Sequence, residues 1–539
     1  MLRYAVVIFL FAVLSISAEF SPNLIISSEL DLLITRISTV HGIPLPEGYC
    51  SRPLNLSAVN SFFKSADSLD SCGFLNVNER ALLKAAERSV GFRKGLLKWN
   101  NIDKDIHLKV NLNLLGDVLV QAKDSTGLRT KGIIGPSFLG NLGKLSFYSG
   151  IDVWTEYRSD SLFSRSTYQP YDGLAYNVYG RNTEITHIRS SDVPRGGIRY
   201  ETPHIALETA IDYLRYGPVV YYPLTLSGVT PPITYARAVF DIGIISYSHI
   251  AGQLKSQKDK DKYIYSHRLE TSFKKSTIQL GINEVVLNGS TTDQYLGDTN
   301  KINPKDTGQT RSWEWVYLIP FVPFKFVEHY AGDRDNAALS FDLNIRFPKR
   351  FRWYGEFFLD DMLSPWKILS DDWGNKWAAT IGMQYFGTIW ARDITLTTEY
   401  SHVEPWVYTH FFGGSHNYTH FGQSLGSPLG PNSQAIVLSS IISLNKFNSI
   451  ELKYANIAQN SSARGGHLTD IFQDNDDSTS FQDNERKKFL GPGTKWSSRP
   501  SMRWCFNPYG LFTANLQYTL DFTQGEITNE LMLWGGLYF

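Results

Sequence analysis

The C-terminal residues constrain this chain most. Leu531, Leu533, Leu537 and Phe539 share one parity, Gly535 stands between them, and the chain stops on an aromatic ring. Such period-two alternation marks a strand with one apolar face. A terminal strand running to a final Phe is also how many bacterial outer-membrane β-barrels close. A strand that ends a water-soluble domain rarely needs an exposed apolar ring as its last residue. Read this way, the strand ending at Phe539 is the element a barrel-insertion machinery recognises.

The other end agrees. Arg3 precedes an apolar core from Ala5 to Leu14, followed by Ser15-Ile16-Ser17-Ala18. This is the pattern of a secretory signal peptide over residues 1–18, with cleavage expected after Ala18. The apolar run falls short of the ~20 residues a spanning helix needs, and no Cys follows Ala18 to carry a lipid. The expected location is the bacterial outer membrane, with lipid as a partner.

Beyond residue 18 no run is long enough for a transmembrane helix, yet the composition is unusual for a soluble enzyme. Aromatic residues make up 14%, with 42 Gly, 29 Tyr, 32 Phe and 13 Trp, while mean hydropathy is slightly negative. Barrel strands produce this profile by alternating lipid-facing apolar residues with polar lumen residues. A formal net charge of zero argues against nucleic acid, which requires a basic face to neutralise phosphates.

The chain divides near residue 105. Residues 19–104 read as a small helical module. Ser27-Ser28-Glu29 leads into Leu30, Leu32, Leu33 and Ile34, a helix follows Pro53 over Leu56 to Phe63, and Asn76 or Asn78 caps a run of helix formers to Arg88. Cys50 and Cys72 either pair in an oxidising periplasm, closing a loop of about 20 residues worth roughly 3 kcal/mol, or remain two buried thiols. From Ile106 the period changes to two. Ile106, Leu108, Val110, Leu112 and Leu114 alternate with His107, Lys109, Asn111 and Asn113. The same alternation recurs at Phe341, Leu343, Ile345 and Phe347, and again from Phe512 to Phe522. About 430 residues at ~22–27 per strand and connection give roughly 16–20 strands, an even number being expected. Residues 105–539 therefore read as one large antiparallel transmembrane barrel. Polar stretches at 157–195, 256–262, 288–312 and 465–495 read as its loops.

The densest chemistry runs from Tyr317 to Asn432. Strand parity puts Asp342, Arg346, Glu356, Asp360 and Glu399 on polar faces, where a barrel turns them into its lumen as a charge network. Glu356 and Asp360 also raise glycoside hydrolysis, but parity already accounts for them. His410, His416 and His420 could bind zinc, although Gly413-Gly414 argues for a loop in which histidines hydrogen-bond, and no metal is expected. No G-x-S-x-G elbow with partners supports a hydrolase. Trp366, Trp373, Trp377, Trp406, Tyr408 and Tyr418 lie near Asp371, Asp372, Asn375 and Asn417. Flat rings with carboxylates and amides suit sugar recognition, and they equally suit an interfacial girdle.

This stretch resembles the capsule assembly proteins of the Wzi type. The matching residues include Asp333-Arg334-Asp335-Asn336, Ser340-Phe341-Asp342, Tyr354-Gly355-Glu356-Phe357 and Asp360-Asp361. They continue through Trp373-Gly374-Asn375-Lys376-Trp377, Glu399-Tyr400, Tyr408-Thr409-His410, Tyr418-Thr419-His420 and Leu429-Gly430-Pro431-Asn432-Ser433. Ser51-Arg52-Pro53-Leu54 and Gly217-Pro218 extend it. The resemblance implies an outer-membrane barrel of about 18 strands with periplasmic helices at its lower end. It also implies a lectin-like, non-enzymatic role without cofactor, anchoring capsular or exopolysaccharide at the cell surface. A porin-like diffusion channel for sugars or other solutes is the alternative.

Overall fold

The computed structural model describes residues 23–24, 28–89, 97–101, 106–123, 126–159, 183–185, 187–255, 261–273, 277–290, 312–331, 335–347, 350–362, 364–410, 415–470, 486–508 and 512–539. The expected signal peptide over residues 1–18 and most of the loop stretches at 157–195, 256–262 and 288–312 lie outside them, as do residues 471–485 of the stretch 465–495. So do Ser27, Gly332 to Arg334 and Gly413-Gly414.

Eighteen long strands form one closed antiparallel barrel. They are β1 Ile106–Ala122, β2 Thr126–Leu142, β3 Leu145–Arg158, β4 Ile188–Glu201, β5 Ile205–Asp212 and β6 Ile233–Ile242. Next come β7 Ile245–Lys255, β8 Asp261–Phe273, β9 Ile278–Gly289, β10 Asn336–Phe347, β11 Phe351–Asp361 and β12 Lys376–Ile389. The ring is completed by β13 Arg392–Val403, β14 Ser433–Ser443, β15 Asn448–Gln459, β16 Lys495–Phe506, β17 Phe512–Thr523 and β18 Glu526–Tyr538. The last strand pairs with the first, Leu533 opposite Val118. The closing residue is hydrogen-bonded in turn: the Phe539 amide donates to the Leu112 carbonyl at 2.9 Å. Closure leaves no strand edge unpaired, which is what lets a sheet cross a bilayer.

Alternation follows the expected parity. Leu531, Leu533, Leu537 and Phe539 face outward at 44, 51, 40 and 47% exposure, while Met532 and Trp534 between them are buried inside. Phe341, Leu343 and Phe347 likewise face out, and Ser340, Asp342, Asn344 and Arg346 are buried on the lumen side. The assignment of Ile188 to Arg195 as loop is corrected, since these residues open β4. Ser190 and Asp192 share the outward parity of Ile188 there, so polar residues on both faces hide the period.

The two barrel ends differ. Connections 143–144, 243–244 and 390–391 are tight turns at the end that also holds both chain termini of the barrel. Connections 213–232, 404–432 and 460–494 rise from the other end. Short turns throughout one side and long loops on the other, apart from the short connections 123–125 and 524–525, mark the periplasmic and extracellular ends of an outer-membrane barrel.

Three helices pack at the short-turn end: α1 Ser28–His41, α2 Leu56–Ser71 and α3 Val77–Ser89. The second and third begin where a cap supplies an acceptor. Asn55 Oδ1 accepts the Ala58 amide at 3.0 Å, and Asn76 Oδ1 accepts those of Asn78 and Glu79 at 2.9 Å each. Glu79 returns a bond from the Asn76 amide, closing a capping box. Leu33, Ile37, Val59, Phe63 and Leu83 form the module's own core. Arg36 fastens it to the barrel, reaching Asp393 of β13 at 2.7 Å, and also pairs with Glu79 of α3 at 3.0 Å. Cys50 and Cys72 do not pair. Both thiols are free, Cys50 buried beside Gln279 and Cys72 exposed at the end of α2.

Acid should loosen this module. Burial pushes Glu79 up, but the His41 hydrogen bond and the Arg36 charge outweigh it and hold the carboxyl below its usual value. Asp31, opposite Arg52, is lowered against burial in the same way. A carboxyl with a depressed folded-state pKa stabilises above its unfolded value and loses that contribution as pH falls through the folded one. Amide protection in α1 and α3 should therefore hold down to about pH 4.5 and fall below it while the barrel strands stay protected. Unchanged protection of the helices at about pH 3 contradicts this account.

Candidate functional site

The lumen is the first candidate, and it is filled by the chain itself. Residues 213–232 leave the loop end of β5 and descend inside the barrel, crowded with breakers (Gly217, Pro218, Pro223, Gly228, Pro231, Pro232) that prevent them from extending the sheet. Gly217 sits at φ +81, where a side chain is strained. At its lowest point the segment meets the helical module. Tyr216 pairs with Ser51, and the Gly217 amide donates to the Cys50 carbonyl at 2.9 Å.

Inward carboxylates hold this segment. Glu399 accepts the amides of Val220, Tyr221 and Tyr222 at 3.0, 3.1 and 2.8 Å, and the Tyr354 hydroxyl at 2.9 Å. Glu356 accepts the amides of Leu224 and Thr225 at 2.9 and 2.8 Å, with the Thr225 hydroxyl as a further donor. Arg352 donates to the Pro218 carbonyl at 2.6 Å. Glu356 and Glu399 are 4 and 1% exposed, so without these donors each would be an uncompensated buried charge.

Residues 404–432 close the lumen from above. Asp360 accepts the Tyr408 amide at 2.7 Å, and the Tyr408 and Tyr418 hydroxyls donate to the carbonyls of Leu224 and Thr225 at 2.8 and 2.9 Å. The Ser227 amide donates to Leu425 O at 2.8 Å. Leu224, Leu226, Val407, Tyr408, Tyr418 and Leu425 then pack with Val285, Phe358 and Val403 of the wall into a core inside the barrel.

The expected lumen charges thus face inward, but they do different work. Asp342 pairs with Arg268 at 2.5 Å. Arg346 donates to the Ser38 and Ile43 carbonyls of the helical module at 2.6 and 3.0 Å. Glu356, Asp360 and Glu399 bind backbone amides of the inserted loops. Sequence reasoning missed the partner of Glu356 and Glu399, residues 220–225. The cluster of prolines amid apolar residues was its signal, since such a stretch can neither cross a membrane nor rest in water as a loop.

The aromatic candidates separate into three places. Trp406, Tyr408 and Tyr418 are 2, 0 and 0% exposed, their ring faces covered by the inserted loops. Trp377 lies on the outer wall, stacked on His402 at 4.8 Å, which stacks on Phe489 at 4.1 Å. Trp373, Asp372 and Asn375 belong to the loop between β11 and β12. There Lys376 lies 5.3 Å over the Trp373 ring. Arg486 pairs with Asp371 at 2.9 Å and also with Asp372. Asn375 is buried and donates to the Lys367 carbonyl and Ser370 hydroxyl at 2.8 Å each. Trp366, on the same loop, is 95% exposed. The open aromatic surface near carboxylates and a guanidinium is therefore this rim loop.

The histidines take structural positions. His410 and His416 stack at 5.4 Å, and the Lys255 amide donates to His420 Nδ1 at 3.0 Å. Among the described residues no group of His, Cys, Asp and Glu is arranged to hold a metal ion.

Replacing Glu399 by Ala removes the acceptor of three partly buried amides, at roughly 1 kcal/mol each. The inserted segment should detach and the barrel should conduct, so Glu399→Ala is expected to show steady single-channel current where the parent shows little. A variant as silent as the parent, with its barrel intact, would mean that Glu399 does not hold the plug.

Fold and lumen define a large transmembrane β-barrel that takes its own loops into its lumen above an N-terminal helical module. Neither a protein-family model nor a curated protein matches the sequence. Among solved structures, the chain is similar to Wzi of Escherichia coli, an outer-membrane protein involved in group 1 capsule assembly and described as a carbohydrate-binding β-barrel. The TM-score is 0.58 at 11% identity, over 96% of this chain and 99% of that one. OpdK of Pseudomonas aeruginosa aligns at TM-score 0.44 and 8% identity over 80% of this chain and 98% of its own. A BenF-like porin of Pseudomonas fluorescens aligns at 0.41 and 7%, over 80% and 99%. At these identities the likeness to Wzi shows the shared barrel fold.

Proposed function

We propose that this chain resides in the outer membrane of a Gram-negative bacterium and holds a capsular or exopolysaccharide at the cell surface without chemical turnover. The observation that carries the reading is the occupied lumen. A segment anchored on Glu356 and Glu399 meets the helical module below and residues 404–432 above, which opposes the channel alternative and leaves the loop end as the working surface. The fold-level likeness to a carbohydrate-binding barrel supports the same direction.

The rim loop is the proposed contact. Trp366 and Trp373 offer faces for the C–H patches of sugar rings, and Asp372 with its Arg486 partner offers hydroxyl acceptors and donors. Asn375 shapes the loop, while Trp406, Tyr408 and Tyr418 support it from beneath. Trp377 is assigned to the outer girdle.

The folded protein should bind the producing organism's own surface polysaccharide saturably, and Trp366→Ala or Trp373→Ala should weaken binding by about 1–3 kcal/mol, the worth of one large aromatic contact. Deleting the gene should release polymer into the medium without stopping its synthesis. Absence of binding by intact barrels, together with steady conductance, would replace this reading with the channel.

A further inference from the structure

The outer wall of β7, β8 and β9 departs from the apolar rule. Tyr247, His249, Tyr265, His267 and Glu284 have outward parity, where acyl chains would meet imidazoles and a carboxylate at considerable cost. These residues do not meet lipid, because residues 313–331, from the long connection between β9 and β10, lie over them on the outside of the barrel. Trp313 packs on Tyr263 at 4.6 Å and Tyr317 on Tyr265 at 5.1 Å. Phe324 stacks on His267 at 3.7 Å, and Phe321 on Tyr247 at 4.5 Å, close to the short-turn end of β7. The segment ends in a helix, α4 Phe324–Ala331, that returns it to β10.

Irregular backbone at membrane depth is tolerated only where its polar groups find partners. The outward polar side chains are those partners. Tyr265 Oη accepts the Glu314 amide at 2.9 Å, Tyr247 Oη the Phe321 amide at 3.0 Å, and Glu284 the Phe324 amide at 3.1 Å. Lys325, the cation of α4, pairs with Glu328 at 3.0 Å. The opposite side of the segment is apolar: Trp315, Phe326 and Tyr330 are 78, 76 and 88% exposed. This surface continues into the exposed Leu269, Ile282 and Phe341 of the wall just below.

We propose that residues 313–331 form a membrane-embedded strap, clasped to the barrel wall by Tyr247, Tyr265 and Glu284 and covered on its outer side by acyl chains of the bilayer. Lipid is the occupant because the exposed rings extend the barrel's own apolar belt, and because the wall, not water, satisfies the strap's backbone. The inference rests on the membrane placement of the barrel and is independent of the polysaccharide.

The test places a nitroxide label on the full chain at Phe326→Cys or Tyr330→Cys, in a Cys72→Ser background, reconstituted in phosphatidylethanolamine–phosphatidylglycerol vesicles. Leu533→Cys, on the lipid face of β18, is the reference. Collisions with dissolved oxygen should dominate those with a water-soluble nickel chelate at Phe326→Cys as strongly as at Leu533→Cys. Dominance of the chelate at the strap alone puts it in water and overturns the proposal. Exclusion of both quenchers at the strap puts protein over it, which also overturns it. Dominance of the chelate at Leu533→Cys as well removes the membrane placement itself.

Discussion

Two buried carboxylates organise the interior of this barrel. Glu356 and Glu399 sit on the inner wall with their oxygens aimed at consecutive amides of residues 220–225. Hydrogen bonds to an ionised acceptor are among the stronger ones, and low local polarity strengthens them further. Carboxylate and amides satisfy each other, so an irregular, proline-broken chain can lie where water is scarce. Tyr408 and Tyr418 add their hydroxyls to the same segment from above, and Ser51 and Cys50 pair with it from below. Without that central seam the upper loop and the lower module would each have little to rest on.

The same exchange of donors and acceptors recurs on the outside. Along the lumen, inward acids receive the amides of a loop that folds in. On the outer wall of β7 to β9, outward phenols and a carboxylate receive the amides of a loop that folds down. In both places polar side chains at barrel positions are explained by backbone, not by solvent or small ligands. The rim loop carrying Trp366 and Trp373 is tied by Arg486 to the next loop but one.

Parity made the barrel and its wall legible. The alternation at Ile106 to Leu114, Phe341 to Phe347 and Phe512 to Phe522 assigns each side chain to a face, because successive strand residues must point opposite ways. The inward direction of Asp342, Arg346, Glu356, Asp360 and Glu399 follows from the same rule. Their partners do not, since residues 220–225 lie more than a hundred positions away from Glu356 and carry no period. β4 escaped at its start because Ser190 and Asp192 interrupt the apolar face near the rim. The aromatic candidates show the same limit: Trp373, Trp406 and Tyr418 look alike in sequence, yet one is at the rim and two are enclosed.

Local chemistry along the chain determined the large antiparallel membrane barrel, its apolar belt, the helical module with its Asn caps, and which residues turn inward. Those properties depend on nearest neighbours and on strand geometry alone. Tertiary structure decided that the lumen is filled, that its acids clasp backbone, that Trp377 stands outside and that residues 313–331 cover a polar wall. Such outcomes require segments remote in sequence to meet, and a loop has no periodicity to announce which surface it will cover.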